Sequence, residues 1–135
     1  MTAYYEINVE VGPLSGIVKS SAKTQAQVVQ GATGARMSVL VGPEDGAPRY
    51  VTRKFTLDPG GRIPRHSHPD IEHEQYVLSG EMVLGLGEKV HTIKAGDAVF
   101  IPAQEPHWYE NRSDRPVEFL CIVPKTDKYE TDWLE

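Results

Sequence analysis

Turn-forming residues recur at short intervals along this chain, and their spacing is the feature that most limits its fold. Six segments combine Gly, Pro, Asp or Asn in turn-forming order: residues 42–48, 57–61, 78–81, 85–89, 94–97 and 111–116. The stretches between them are short and rich in Val, Ile, Phe, Tyr and Thr, which is typical of β-strands. No stretch keeps a helical apolar period over about ten residues. The pattern predicts an all-β sandwich or barrel.

The chain length and the ends of the sequence suggest a simple domain organisation. A chain of 135 residues has the size of one domain. We expect a barrel domain over residues 23–124, an N-terminal arm over 1–22 and a C-terminal tail over 125–135. The tail carries Trp133, an aromatic side chain that favours burial against the barrel or against a second subunit.

The N-terminal arm predicts that two copies of the chain associate. A barrel of this size leaves sheet edges, and unprotected edges pair with other chains. The arm includes the weakly alternating "AYYEINVEV", whose Tyr4 and Tyr5 favour burial. We therefore predict a homodimer whose interface includes the arm and in which residues 1–11 add a strand to the partner's sheet.

Composition limits which binding partners and which cellular compartment we expect. The formal net charge of −5 argues against nucleic acid, because phosphate binding needs a basic face. No apolar run approaches the roughly 20 residues of a membrane span, and "MTAYYEINVEV" lacks the features of a signal peptide. The single cysteine, Cys121, cannot form an internal disulfide. We expect a cytoplasmic protein whose partner is a small-molecule substrate, with no nucleic acid and no membrane.

A cluster of histidines predicts a metal site, because three of the five histidines lie within eight positions. His66 and His68 are two residues apart and face the same side of an extended strand. His73 opens the next strand, and His107 follows a later strand and a proline-containing turn. Imidazole is the commonest metal-binding side chain in its neutral form. We predict that one divalent transition metal ion per chain binds to His66, His68, His73 and His107.

Two segments resemble the two conserved motifs of the cupins. The segment "GGRIPRHSHPDIEHEQYVLSG" is similar to the first motif, with matches at Gly60, His66, His68 and Gly80. The segment "GDAVFIPAQEPHWYEN" is similar to the second, with matches at Gly96, Pro102, His107 and Asn111. Gln104 stands where the family usually has glycine. The resemblance covers residues 50–123 and implies a double-stranded β-helix, or jelly roll, with a metal in its mouth.

One position departs from the usual cupin pattern. Most metal-binding cupins carry a glutamate ligand where this chain has His73, with six residues between it and Gly80. Glu72 and Glu74 flank this position but face the opposite side of the strand, and a one-residue slip would exchange them with the histidine. The spacing favours His73, and a subset of small cupins is similar in using four histidines. Glu72 or Glu74 stays open as the alternative ligand.

The ligand set limits the metal and its chemistry. Four neutral imidazoles leave the full charge on a divalent ion, which strengthens it as a Lewis acid and favours an anionic ligand. A nitrogen-rich site of this kind suits several transition metals. We expect Mn or Fe, with Ni, Cu and Zn as alternatives.

Strand alternation predicts the walls of a substrate pocket. Tyr109 shares the face of His107, and Phe119 shares a face with Cys121. Arg53 interrupts an inward apolar face, so it needs an anionic substrate group, an internal carboxylate or a position near the rim. Cys121 is either a small buried apolar residue or a residue that faces the metal. The predicted substrate pocket comprises Arg53, Tyr109, Phe119 and Cys121.

The function follows from the resemblance rather than from the spacing of the residues. Many similar small cupins carry out dioxygen chemistry, which implies a metal-dependent oxygenase of the dioxygenase type acting on a small organic molecule. One alternative is a non-redox isomerase or lyase in which the metal polarises a carbonyl. The other is a binding module that holds a ligand in the metal-lined pocket without turnover. The fold does not decide among the three.

Overall fold

The computed structural model describes residues 15–135 and contains ten β-strands in this range. The strands are β1 (Gln27–Val28), β2 (Thr33–Val41), β3 (Tyr50–Ser67), β4 (His73–Ser79), β5 (Glu81–Leu86), β6 (Lys89–Lys94), β7 (Ala98–Ile101), β8 (His107–Glu110), β9 (Val117–Pro124) and β10 (Asp132–Trp133). Short 3₁₀ turns occur at Ser21–Lys23 and Pro43–Asp45. The predicted all-β class is confirmed.

The strands form one curled antiparallel sheet in the order β6-β5-β8-β3-β9-β4-β7. β2 and β10 also pair with β3, and β1 pairs with β2. The long strand β3 belongs to both halves of the barrel, because its first half pairs with β9 and its second half with β8. This is the predicted jelly roll.

The segment 57–61, which the sequence suggested was a turn, lies inside β3 as a bend. Gly60 has a φ of +81° there, which favours glycine, and a Cβ on Gly61 would lie 2.6 Å from a backbone oxygen. Asn111 is fully buried and holds the bend. Its backbone carbonyl accepts from the Gly60 amide (2.8 Å), and its backbone amide donates to the Gly61 carbonyl (2.9 Å). Its side chain also donates to the Leu57 carbonyl (3.1 Å).

Strict alternation fills the barrel interior. Along β9, the buried residues are Val117, Phe119, Cys121 and Val123, each two positions apart. The same alternation on β4 buries His73, Gln75 and Val77. The core and the lining of the site are therefore successive residues on the same inward faces.

The segment 125–135 adds a strand to the sheet. Within β10, Asp132 pairs with Ser67 and Trp133 pairs with His66 of β3. The amide of Leu134 donates to the Arg65 carbonyl (2.9 Å). The C-terminal residues therefore lie against the strand that carries two of the predicted ligands.

The proposed strand exchange through residues 1–11, with Tyr4 and Tyr5, lies outside the described residues, and the homodimer stays a prediction. Among residues 15–135, no helix has the length and apolar character needed to cross a membrane.

Replacing Gly80 by alanine is expected to lower the free energy of unfolding more than the same change at Gly46. Both glycines have a φ of +85°, a left-handed conformation that costs an alanine about 1–2 kcal/mol. At Gly80 the new Cβ would also lie 2.6 Å from the Pro116 carbonyl oxygen, whereas Gly46 has no atom within 4 Å. Urea denaturation of both variants measures the difference, and equal losses would contradict the crowding at Gly80.

Candidate metal centre

Three strand ends bring four histidines together. His66 lies near the end of β3 and His68 directly follows that strand, while His73 begins β4 and His107 begins β8. His66 is the register partner of His107 across the antiparallel pair. Because His66 and His68 are two residues apart in an extended chain, both rings point into the same pocket.

Three of the four histidines bring their ring nitrogens close together, and His73 lies outside that group but beside it. The candidate ligand nitrogens of His66, His68 and His107 all lie within 4.8 Å of one another. The ring centroids of His66 and His107 are 4.2 Å apart. The His73 ring lies beside this trio, with its centroid 4.9 Å from that of His68 and 5.2 Å from that of His107.

A backbone carbonyl orients each ring of the trio. The Nδ1 atoms donate to the carbonyls of Pro64 (His66, 2.7 Å), Glu130 (His68, 2.8 Å) and Glu105 (His107, 2.9 Å). Since a carbonyl oxygen only accepts, the hydrogen is on Nδ1 and the lone pair is on Nε2. This is the arrangement that holds metal-binding imidazoles in other proteins.

His73 has a different partner, a thiol, which can either donate or accept. Its Nδ1 lies 3.3 Å from the sulfur of Cys121, which leaves its Nε2 free. The Nε2 atoms of His73 and His107 are buried and have no hydrogen-bond partner within the part of the chain that the structure describes. Buried polar atoms without a partner are rare in native proteins. A cation held at these nitrogens would satisfy both of them.

Burial keeps these imidazoles neutral. Desolvation is the largest cause of the shift in each case, and it lowers the pKa of His66 to about 4, of His107 to about 3 and of His73 to about 2. Burial also lowers the pKa of His68. Neutral imidazole is the form that binds a metal, so burial favours the metal-binding form of each ring at neutral pH.

The glutamates flanking His73 lie outside the pocket. The alternation of β4 buries His73 and Gln75, whereas Glu72 and Glu74 are exposed. Neither glutamate lines the cavity at the histidines. In this register, a carboxylate ligand from either residue would require the strand to slip by one position.

The cavity at the histidines has a volume of about 290 Å³, and all four predicted substrate-pocket residues line it. Part of its wall is aromatic, formed by Phe55, Tyr109, Phe119 and Trp133. Phe119 stacks with Phe55 at 5.2 Å and with Tyr109 at 5.3 Å between ring centroids. Such a cavity fits a small, flat, apolar molecule that carries a few polar groups.

Polar side chains meet at the sulfur of Cys121. Nη2 of Arg53 donates to it at 3.1 Å and Nε2 of Gln75 at 3.4 Å, in addition to the His73 contact. Gln75 also donates to the Tyr109 hydroxyl at 2.7 Å. Burial raises the pKa of Tyr109 above its usual value, so this hydroxyl stays protonated.

The sequence analysis did not select several residues that complete the site. Trp133 lines the cavity, and its ring centroid lies 5.1 Å from that of His66. Thr131 lines the cavity as well, and Glu130 supplies the carbonyl that orients His68. The signal that pointed to this region was the presence of Trp133 in an otherwise acidic tail. Gln75 could have been found by counting two residues on from His73.

Comparisons with known proteins agree with the fold. The family model for the Cupin domain matches residues 53–123. The polyketide cyclase RemF from Streptomyces resistomycificus is 29% identical, with a TM-score of 0.82 over 90% of this chain and 87% of that chain. A structure of Bacillus subtilis oxalate decarboxylase, studied for its Mn(II) centres, is 25% identical with a TM-score of 0.65 over 75% of this chain and 28% of that chain.

One curated relative is named for its ligand. The oxalate-binding protein of Thermotoga maritima is 34% identical over 70 residues, which is 52% of this chain and 58% of that protein. The chain spans less than two thirds of the length of the curated relatives that it matches.

Proposed function

The chain belongs to the cupin family, and we propose that it is a metal-dependent enzyme that activates carbonyl groups of a small aromatic or polyketone substrate without using dioxygen. One observation carries the proposal. Four neutral imidazoles meet in an aromatic cavity whose lining includes no Asp or Glu among residues 15–135. Such a site leaves the charge of a bound cation available to an anionic form of the substrate.

His66, His68, His73 and His107 would hold the metal. The buried Nε2 atoms of His73 and His107, which lack a partner, support this ligand set. A divalent ion there would polarise a bound carbonyl and lower the pKa of the neighbouring C–H group. Mn or Fe suits four nitrogen ligands, with Ni, Cu and Zn as alternatives. The Mn(II) centres of the related oxalate decarboxylase support Mn.

Tyr109 is the residue of this chain best placed to donate a hydrogen bond to the substrate. Gln75 donates to its oxygen, so the hydroxyl hydrogen is free to donate to an oxygen of the substrate. The raised pKa keeps that hydrogen in place. Tyr109 would therefore stabilise negative charge on a substrate oxygen, in the manner of an oxyanion-hole donor.

The likeness to the polyketide cyclase supports carbonyl chemistry over dioxygen chemistry. That structure covers 90% of this chain. Polyketide chains alternate carbonyl and methylene groups, and the hydrogens between two carbonyls are acidic enough to give an enolate. A Lewis acid beside a hydrogen-bond donor is suited to that step.

The oxygenase and the ligand-binding module stay as alternative predictions. The oxygenase requires dioxygen to be consumed in step with the substrate. The binding module requires tight binding without any chemical change. Under nitrogen, the proposed function still changes the substrate chemically, whereas neither alternative does.

Replacing His73 by alanine is expected to lower the affinity for the metal at least about tenfold, because one of four ligands is lost. Glu72→Gln is the matched control, since it removes an adjacent carboxylate that lies outside the cavity. Competition with a chelator, followed by elemental analysis, gives both affinities. Unchanged affinity in the His73 variant together with a loss in Glu72→Gln would contradict the four-histidine set.

The metal-loaded protein is expected to accelerate the exchange of the methylene hydrogens of benzoylacetone, a 1,3-diketone, with deuterium under nitrogen. The expected acceleration is at least about tenfold over the His107→Ala protein, which lacks a ligand. Mass spectrometry follows the deuterium, and an oxygen electrode follows a parallel sample in air. Exchange that does not exceed the control, with dioxygen consumed in air, would contradict the proposal and favour the oxygenase. Binding with neither change would favour the binding module.

A further inference from the structure

Among the described residues that line the cavity, Arg53 is the one with a permanent charge. The other described lining residues are histidines, uncharged polar side chains and apolar side chains. The chain as a whole carries 19 acidic and 14 basic residues. Carboxylates are therefore plentiful in the sequence but absent from this lining within residues 15–135. A cation and four metal-binding imidazoles share a cavity without a counterion.

The contacts of Arg53 do not balance its charge. Its Nη2 donates to the sulfur of Cys121, and its guanidinium carbon lies 5.2 Å from the centroid of the Phe55 ring. Its Nε is buried and has no hydrogen-bond partner among residues 15–135. A guanidinium keeps its charge under all ordinary conditions and offers five donors in a fixed fork. Its described protein partners are neutral, so within this part of the chain no carboxylate pairs with the half-buried guanidinium.

Other arginines of this chain show the usual solution. Arg36 pairs with Asp58, Arg62 with Glu135, and Arg112 with Glu110. Arg53 is half-buried, like Arg36 and Arg62, but has no such pair among the described residues. An internal carboxylate, one of the partners that the sequence left open, is therefore absent from the described part of the chain.

We propose that Arg53 is an anion-binding subsite of the cavity, which pairs with a carboxylate on an aromatic or polyketone ligand while the carbonyl oxygens of that ligand face the histidines. The histidine end of this arrangement rests on the proposed function, whereas the Arg53 end stands on its own contacts. A carboxylate matches the planar fork of guanidinium donors with two parallel hydrogen bonds. The stacked Phe55 and Phe119 rings supply a flat wall beside it.

The test compares a charged probe with a neutral one of the same shape. 2-Naphthoate and 2-naphthamide differ in the carboxylate, and calorimetry measures the affinity of each for the metal-loaded protein. The wild type is expected to prefer naphthoate by about tenfold or more, as for a buried charge-assisted hydrogen bond. In Arg53→Gln the preference is expected to fall to within about threefold. Because the metal is present in both proteins, the difference belongs to Arg53.

Lys54→Gln is the matched control. Lys54 is the next residue on β3 and faces Glu118 at 3.5 Å, away from the cavity. This variant is expected to keep the wild-type preference. A wild-type preference that survives in Arg53→Gln, or that is lost equally in Lys54→Gln, would overturn the subsite.

A second variant keeps the proposal open to refutation if Arg53→Gln does not fold. Arg53→Lys keeps the charge as a compact ammonium and loses the fork, so it is expected to retain a preference of at least about threefold. A folded Arg53→Lys protein with full metal content and no preference would overturn the proposal.

The two proposals can fail separately. Anion preference with no deuterium exchange would refute the proposed function alone. Deuterium exchange without the anion preference would refute the subsite alone.

Discussion

The bend in β3 is the constraint on which both the barrel and the site depend. Because the strand continues through residues 58–61, its first half carries Arg53 and its second half carries His66, and both reach the same cavity. Asn111 fixes the bend with three hydrogen bonds and lies four residues after His107. β8 therefore begins at one candidate ligand, His107, and leads directly into Asn111, which holds the bend in the strand that carries another, His66.

The chemistry of the site follows from the absence of carboxylates in the described lining. Burial holds the imidazoles neutral, and backbone carbonyls hold the hydrogens of His66, His68 and His107 on Nδ1, so the Nε2 lone pairs of these three rings are free for a metal. A cation bound there keeps its charge, and Arg53 adds another. A cavity with this electrostatic character favours anions, whereas its aromatic walls favour flat apolar groups. The two preferences together suit the anion of an aromatic or polyketone molecule.

Local alternation was enough to predict much of this arrangement. A period of two residues placed His66 with His68, Tyr109 with His107, and Phe119 with Cys121. The bend at 57–61 was predicted as a turn, because Pro and Gly mark a turn and a bend inside a strand in the same way. The C-terminal strand was not predicted, since Trp133 pairs with His66 over a long sequence separation that leaves no local pattern. For the same reason, the local sequence pattern did not identify the partner of Arg53.

We propose that four imidazoles bind one divalent metal ion in each chain. X-ray absorption spectroscopy at the edge of the bound metal, with elemental analysis of the same sample, tests this ligand set. We expect one metal ion per chain with four imidazole nitrogens at roughly 2.0–2.2 Å, and one imidazole nitrogen fewer in His73→Ala. Three imidazoles and a carboxylate in the wild type, unchanged in His73→Ala, or a protein that holds no metal after purification and reloading, would contradict it.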